Sequence, residues 1–382
     1  MGPRPRFPCS SVHRILCDSG PGMPDASQFT IGFLGDTSFG ENYQAANAAR
    51  GAVNVLEAHG YAYSLANFRD FLAACDLVVA NLETPLTLPG PSPLDGHKTY
   101  VHWSDVEKAP ASLAAHNVRA VSLANNHTMD HGPEGLAETL RSLREHGISY
   151  FGAGRDAREA NQPFEHSFTL AGHTHRVAVF GAFELRRKYA TDYAFYAGED
   201  RPGVGKLKLP EYAEHIARFK QDHPDVFVIV FPHWGLNYLW RSSKQTRAAH
   251  ALIEAGADLI LGHGAHMLGE VERFKGRWIF YSVGNFVFNS DGNYDFPGAA
   301  PYSLTVQLTV ATTATGTERR LRFYPIFSDN EASGYRPRFV DEGEFEAVRD
   351  LLAMHSPNQE GELSELAGGR DEAGLYLEVA LT

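Results

Sequence analysis

The sequence is poor in cysteine, has no long apolar run and carries more acid than base. Only Cys9, Cys17 and Cys75 occur in 382 residues. An odd, sparse set without metal-binding spacing excludes a disulfide framework and suits a reducing compartment. No apolar stretch approaches the roughly 20 residues that a membrane helix needs, so no membrane anchor is expected and the cytoplasm is the expected location. The formal net charge of −12 argues against nucleic acid and anionic membranes as partners. It does not exclude an anionic substrate held by a bound cation, because a metal reverses the local sign. Residues 1–28 are rich in Pro, Gly and Ser and lack the continuous apolar core of a signal peptide, so they are expected to form a disordered leader.

What is present is ordinary globular composition, 43% hydrophobic with 36 Gly and 21 Pro, with ample material for a core. Apolar runs at 29–35, 76–80, 118–124, 226–231 and 258–261 read as buried strands. Helical patterns at 44–58, 135–146, 211–221 and 244–255 alternate with them, as in a layered α/β domain. Beyond residue 265 helices thin out. The runs 269–274, 277–283, 302–311 and 319–327 read as antiparallel strands with short turns such as Lys275-Gly276. A helix at 342–354, a polar linker and a strand at 375–381 close the chain. No Pro/Gly linker divides 29–330, so one domain is expected there, with the helix and strand of 331–382 packed on it.

The chemistry gathers where strands end. The stretch 258–266 reads Asp-Leu-Ile-Leu-Gly-His-Gly-Ala-His, a strand followed at once by His263 and His266. Asp36, Glu83, Asn126-His127 and His233 each follow an apolar run in the same way. All are therefore expected on one edge of a parallel sheet, where such sheets bind ligands. Singly, each has a bland explanation. Asp36 could cap a helix, Glu83 could be a solvated loop carboxylate, Asn126 could make an Asx-turn, and His233 could stack on Trp234. Their coincidence favours a shared site. Carboxylate, amide and imidazole ligands without thiolate select Zn, Mn, Fe or Ni. Six candidates, Asp36, Glu83, Asn126, His233, His263 and His266, suit two divalent ions bridged by a carboxylate. His127 could face the substrate as general acid with Asp130 orienting it, or be a further ligand.

At these residues the chain resembles the CapA family of poly-γ-glutamate capsule synthesis proteins, a branch of the calcineurin-like metallophosphoesterase superfamily. The matching segments are Gly35-Asp36, Asn81-Leu82-Glu83, Leu123 to Gly132, Gly152-Ala153-Gly154 and Pro232 to Gly235. They continue through Ala255 to Asp258, Gly262-His263, His266, Val271-Glu272 and Tyr281 to Phe288, covering roughly 29–330. The resemblance implies an α/β fold, a four-layer αββα metallophosphoesterase-like sandwich with a β-rich C-terminal part. It places Asp36 and His266 on one ion and Asn126, His233 and His263 on the other. Glu83 would bridge them, His127 would be the acid/base, and Glu272 would orient a ligand. Ser38 stands where the superfamily usually has a histidine, and Gly264 where family members often have a second one.

The implied activity is a hydrolase whose metal-activated hydroxide attacks a phosphoester or an amide. The alternatives are a metal-dependent peptide epimerase using the same site, or a non-catalytic accessory protein of polymer synthesis. Arg186, Arg187, Lys188, Tyr189, Tyr193 and Tyr196, with Tyr238, Trp240 and Arg241, could line a cleft for an anionic or peptidic substrate, although a solvated loop face is the simpler reading of the same residues.

Overall fold

The apolar runs are strands buried on both faces in the computed structural model, which describes residues 27–313, 316–357 and 366–381. Except for Ser27 and Gln28 the expected leader lies outside the described residues, as do Cys9, Cys17 and residues 358–365 of the polar linker, whose described remainder contains a strand, Ala367–Arg370. Along the first two strands, Gln28–Ser38 and Leu77–Leu82, Ile31, Phe33, Leu77 and Val79 enter one core. Leu34, Val78 and Ala80, between them, enter a second core on the opposite face, together with helical Leu113, Leu136 and Leu140. The strand Phe227–His233 repeats the device: Phe227, Ile229 and Phe231 join the first core, Val228 and Val230 a third, beside helical Ile216, Ala249 and Leu252. Alternation with apolar residues on both sides is what a strand needs when a helix covers one face and another sheet the other.

Two sheets thus share the central core. The first has ten strands. Gln28–Ser38, Leu77–Leu82, Val118–Ser122 and Ser149–Phe151 run parallel in that order. On the other side of Gln28–Ser38 the sheet turns antiparallel, through Tyr302–Thr313, Gly316–Phe327, Leu375–Leu381 and Ala367–Arg370. The second sheet has seven strands. Its parallel centre is His173–Glu184, Phe227–His233, Leu259–Leu261 and Arg277–Phe280, flanked by antiparallel Phe164–Leu170 and Val271–Phe274.

The structure departs from the sequence expectations at several elements. The helix expected over 44–58 is two helices, Glu41–Ala49 and Val55–His59. Gly51 takes φ +79° between them, and the Asn54 side chain accepts from Leu56 and Glu57 N–H to start the second. The region beyond 265 is not wholly antiparallel. Arg277–Phe280 lies parallel to Leu259–Leu261, and Asn285–Phe288 lies parallel to the end of the first strand. Phe164–Leu170, whose outward positions are polar, has too short an apolar signal to stand out in the sequence. The Lys275-Gly276 turn is present, with both residues at positive φ. Among the described residues no helix is long and apolar enough to cross a membrane.

Candidate metal centre

The candidate ligands do not come from one sheet edge, as the sequence pattern suggested. Asp36 lies near the end of the first strand, and Glu83 and His127 follow parallel strands of the same sheet; His233 ends a strand of the second sheet and His263 follows another. The two carboxyl edges meet across the top of the shared core. Local backbone makes this approach possible. A Cβ on Gly35 would lie 1.9 Å from the Gly284 carbonyl, which accepts the Asp36 N–H at 2.9 Å. Gly264 sits at φ +102°, and a Cβ there would touch the His233 ring at 3.0 Å. That contact explains a glycine at 264: in this arrangement a side chain there would occupy the space of His233.

Asp36 is fully buried and holds the centre of the cluster. Its Oδ1 lies 3.1 Å from His263 Nδ1 and 3.7 Å from His233 Nδ1, and its Oδ2 lies 3.4 Å from His266 Nδ1. Asn81 Nδ2 and Gly264 N–H donate to it at 2.8 and 3.0 Å. Asp36 therefore caps no helix; the neighbouring helix begins after Gly40. Glu83 Oε1 faces three imidazole nitrogens at nearly equal range: His266 Nε2 at 3.8 Å, and His233 Nε2 and His127 Nε2 at 3.9 Å each. These separations are too long for hydrogen bonds.

Second partners set which nitrogen each ring offers. His266 Nδ1 lies 2.8 Å from Asn285 Oδ1, an acceptor, so the proton sits on Nδ1 and the Nε2 lone pair faces Glu83. Asn285 is held in that orientation by donating to Tyr294 Oη, which in turn donates to the His266 carbonyl. His263 Nε2 faces the Phe231 carbonyl at 3.3 Å, leaving Nδ1 toward Asp36. Imidazoles oriented through their far nitrogen are typical of metal ligands. His266 also takes φ +62°, a strained conformation for a non-glycine residue, which turns its ring back into the cluster.

His127 belongs to a neighbouring unit. Its Nδ1 donates to Asp130 Oδ2 at 2.6 Å, and its ring stacks on His102, centroids 3.5 Å apart. Asn125, rather than Asn126, makes the turn, accepting from the N–H groups of His127 and Thr128. Lys98 and His102, which sequence reasoning missed, complete the unit. Lys98 Nζ donates to Asp130 Oδ1 at 2.5 Å, and the His102 N–H to Asp130 Oδ2 at 2.7 Å. The only sequence signal for them was the long loop after Glu83, which contains no strand or helix of its own.

The expected cleft lining divides. The Tyr238 ring lies 6.0 Å from that of His266, and the Arg186 guanidinium donates to the carbonyl of Gly235, two residues beyond His233. Trp240 instead stacks on His355, and Arg241 lies over Tyr281. Glu272 does not orient a candidate ligand: it pairs with His250 at 2.8 Å and accepts from Tyr281 Oη at 2.5 Å.

The donor set fits divalent cations. Glu83 Oε1 and Asn126 Oδ1 are buried acceptors without a hydrogen-bond partner, an arrangement that costs about 1–3 kcal/mol per group unless something positive meets them. Asp36 with His233 and His263, and Asp36 with Glu83 and His266, each offer ligand atoms within 4.8 Å of one another. Asp36 thus touches both groups, where the family resemblance made Glu83 the shared ligand. Burial pushes Asp36 upward, but the adjacent imidazoles of His263, His266 and His233 outweigh it and hold the carboxyl below its usual range. Burial, then the charge of Asp36, pushes Glu83 well above the usual range. Burial holds His233 and His127 well below the ordinary imidazole value, in the neutral form a ligand or proton acceptor requires.

An α/β protein with a buried carboxylate–imidazole cluster between strand ends is the class that fold and site define. Residues 30–290 match the family model described as bacterial capsule synthesis protein PGA_cap, and the chain belongs to this family, the CapA family. PGA biosynthesis protein CapA of Bacillus subtilis is 30% identical over 264 residues, 67% of this chain and 62% of that protein. A probable polyglutamine synthesis accessory protein of Mycobacterium tuberculosis is 30% identical over 259 residues, 66% of each. Capsule biosynthesis protein CapA of Bacillus anthracis is 27% identical over 270 residues, 69% of this chain and 60% of that protein. The chain thus spans between 60% and 66% of the length of these relatives.

Proposed function

We propose that the chain is a metal-dependent hydrolase with a metallophosphoesterase-like αββα sandwich, acting on an anionic phosphoester or amide substrate. The observation that carries this reading is Glu83 Oε1, buried without a hydrogen-bond donor and ringed by three imidazole Nε2 atoms at 3.8–3.9 Å. Asp36, Glu83, Asn126, His233, His263 and His266 would hold two divalent ions, of Mn, Zn, Fe or Ni. Such ions supply Lewis acidity and lower the pKa of water at the reacting centre.

The chain's own groups then divide the remaining work. His127 keeps its Nδ1 proton on Asp130 and has Nε2 free, so it accepts a proton at Nε2 and returns it to the leaving group. The Asp130 carboxylate orients the ring and balances the charge that the ring gains. Arg186, whose charge is felt at Glu83 and His233, gives the edge of the site a cation for the anionic part of the substrate.

The test is metal-loaded protein assayed on phosphomonoesters, phosphodiesters and acidic peptide amides, with metal content measured in parallel. The expected results are bound divalent metal and turnover of one substrate class, reduced about 10²–10⁴-fold in His127→Ala. Metal-loaded, folded protein inactive on the whole panel would refute the hydrolase. Running the amide arm in heavy water also detects epimerisation, as deuterium uptake without cleavage. An accessory role, as in the name of the Mycobacterium tuberculosis relative, would instead leave the His127→Ala strain unchanged in polymer output.

A further inference from the structure

The turn that carries Asn126, His127 and Asp130 is held from below by its own bonds. Asn125 Oδ1 accepts from His127 and Thr128, Thr128 Oγ1 donates to the Leu123 carbonyl, and Asp130 N–H donates to the His127 carbonyl. From another part of the chain, beside His102, Lys98 also closes on it. Lys98 Nζ reaches the Asn126 carbonyl at 2.7 Å, Asp130 Oδ1 at 2.5 Å and His127 Nδ1 at 3.1 Å. The side chain is only 5% exposed, and the Phe195 and Tyr189 rings lie 5.5 and 5.9 Å from the ammonium. Tyr193 Oη donates to the His97 carbonyl at 2.8 Å and fastens the same aromatic loop over this segment.

A buried ammonium is destabilising unless its charge and hydrogen bonds are met, and here they are met by the two groups the site most needs held still. The Asn126 carbonyl fixes the residue whose Oδ1 is a buried, unpartnered acceptor. The Asp130 carboxylate fixes the ring whose Nε2 faces Glu83. We infer that Lys98 is a positioning residue: its ammonium ties the Asn126 backbone to the Asp130 carboxylate, presetting Asn126 Oδ1 and His127 Nε2 as one edge of the metal pocket. The inference rests on the metal-site reading above and extends it to a residue outside the ligand set. Lys98 touches neither substrate nor reacting atoms and acts through Asn126 and Asp130.

The test compares wild type, Lys98→Met and Lys98→Arg, each stripped of metal and titrated with Mn(II) or Zn(II) by calorimetry. Long-range proton–nitrogen NMR of histidine-labelled protein reads the tautomer of His127. Outer partners of metal ligands typically change affinity about 10–100-fold when replaced. Lys98→Met is expected to lose at least about tenfold in affinity and to mix the His127 tautomers, while wild type shows the Nδ1–H form alone. Lys98→Arg keeps the charge, but its planar fork cannot meet both acceptors, the Asn126 carbonyl and Asp130 Oδ1, from one nitrogen, so a loss of a few fold is expected. If Lys98→Met does not fold, the Arg variant decides alone. Wild-type affinity together with the wild-type tautomer in a folded Lys98 variant overturns the inference. Absence of metal binding in wild type would instead overturn the site reading on which it rests.

Discussion

Replacing Glu83 by Gln should reverse the order of stability depending on whether metal is present. In the metal-free protein the wild-type carboxylate is fully buried beside Asp36, and its Oε1 has no donor. A buried unsatisfied group costs about 1–3 kcal/mol, more when charged. Gln has the same shape and cannot ionise, so it removes the cost of burying an anion beside Asp36, the same cost that pushes the Glu83 carboxyl well above its usual range. Metal-free Glu83→Gln is therefore expected to be more stable than wild type by about 1–3 kcal/mol. Unfolding entropy near 2.1 cal/mol/K per residue gives about 0.8 kcal/mol/K for a chain of 382 residues. The gain should thus appear as a rise in Tm of about 1–4 °C in EDTA. With metal at 100-fold over Kd, one site adds about 2.7 kcal/mol to wild type, a rise of about 3 °C, and the variant, lacking an anionic ligand, should gain far less. Thermal melts of both proteins, with EDTA and with added Mn(II) or Zn(II), give the four values needed. A variant less stable than wild type in EDTA would refute the reasoning, as would equal metal-induced shifts in the two proteins.

Gly264→Ala should destabilise the fold by about 1–3 kcal/mol and weaken metal binding, because φ +102° disfavours a side chain and the new Cβ meets the His233 ring; denaturant melts and metal titration check both. Glu41, buried beneath Tyr61 and Ser104, has its carboxyl pushed up to about 7 by burial. A folded value above the unfolded one means that its contribution is complete below pH ~4.5 and is lost as pH rises through 7, an amount on the order of 3 kcal/mol. Glu41→Gln should flatten that slope between pH 5 and pH 8 in urea melts, and an unchanged slope would contradict the assignment. The Cys75 thiol is buried and pushed up to about 11 by burial, so a chain with Cys9→Ser and Cys17→Ser should resist a thiol reagent at pH 8 when folded and react fully in denaturant.

Much of this was legible in the sequence because it depends on local pattern. Apolar runs bounded by turn residues located most strands. The polar residues within three positions of each run's end, Asp36, Glu83, His233 and His263, located the candidate ligands. The order of those segments marked the family. Beyond residue 265 the hairpin of Val271–Phe274 with Arg277–Phe280 is antiparallel as expected, but the parallel pairing of Arg277–Phe280 with Leu259–Leu261 was not legible, since the run has the same composition whichever way its neighbour points. The helix over 44–58 was misread because Gly51 and Asn54 interrupt a pattern whose apolar spacing continues across them.

By itself the sequence determined which residues are available for chemistry, and that each sits at the carboxyl end of a buried strand. Only the tertiary structure decided that those ends belong to two sheets facing each other, so that Asp36 of one meets His263 of the other at 3.1 Å. Only it decided the tautomers of His266 and His263, which Asn285 and the Phe231 carbonyl set from positions without pattern in the chain. It also brought Lys98 from a loop into the turn of Asn126 to Asp130. The reason is physical: strand patterning is a short-range property, whereas a buried charge finds its partners through the packing of segments distant in sequence.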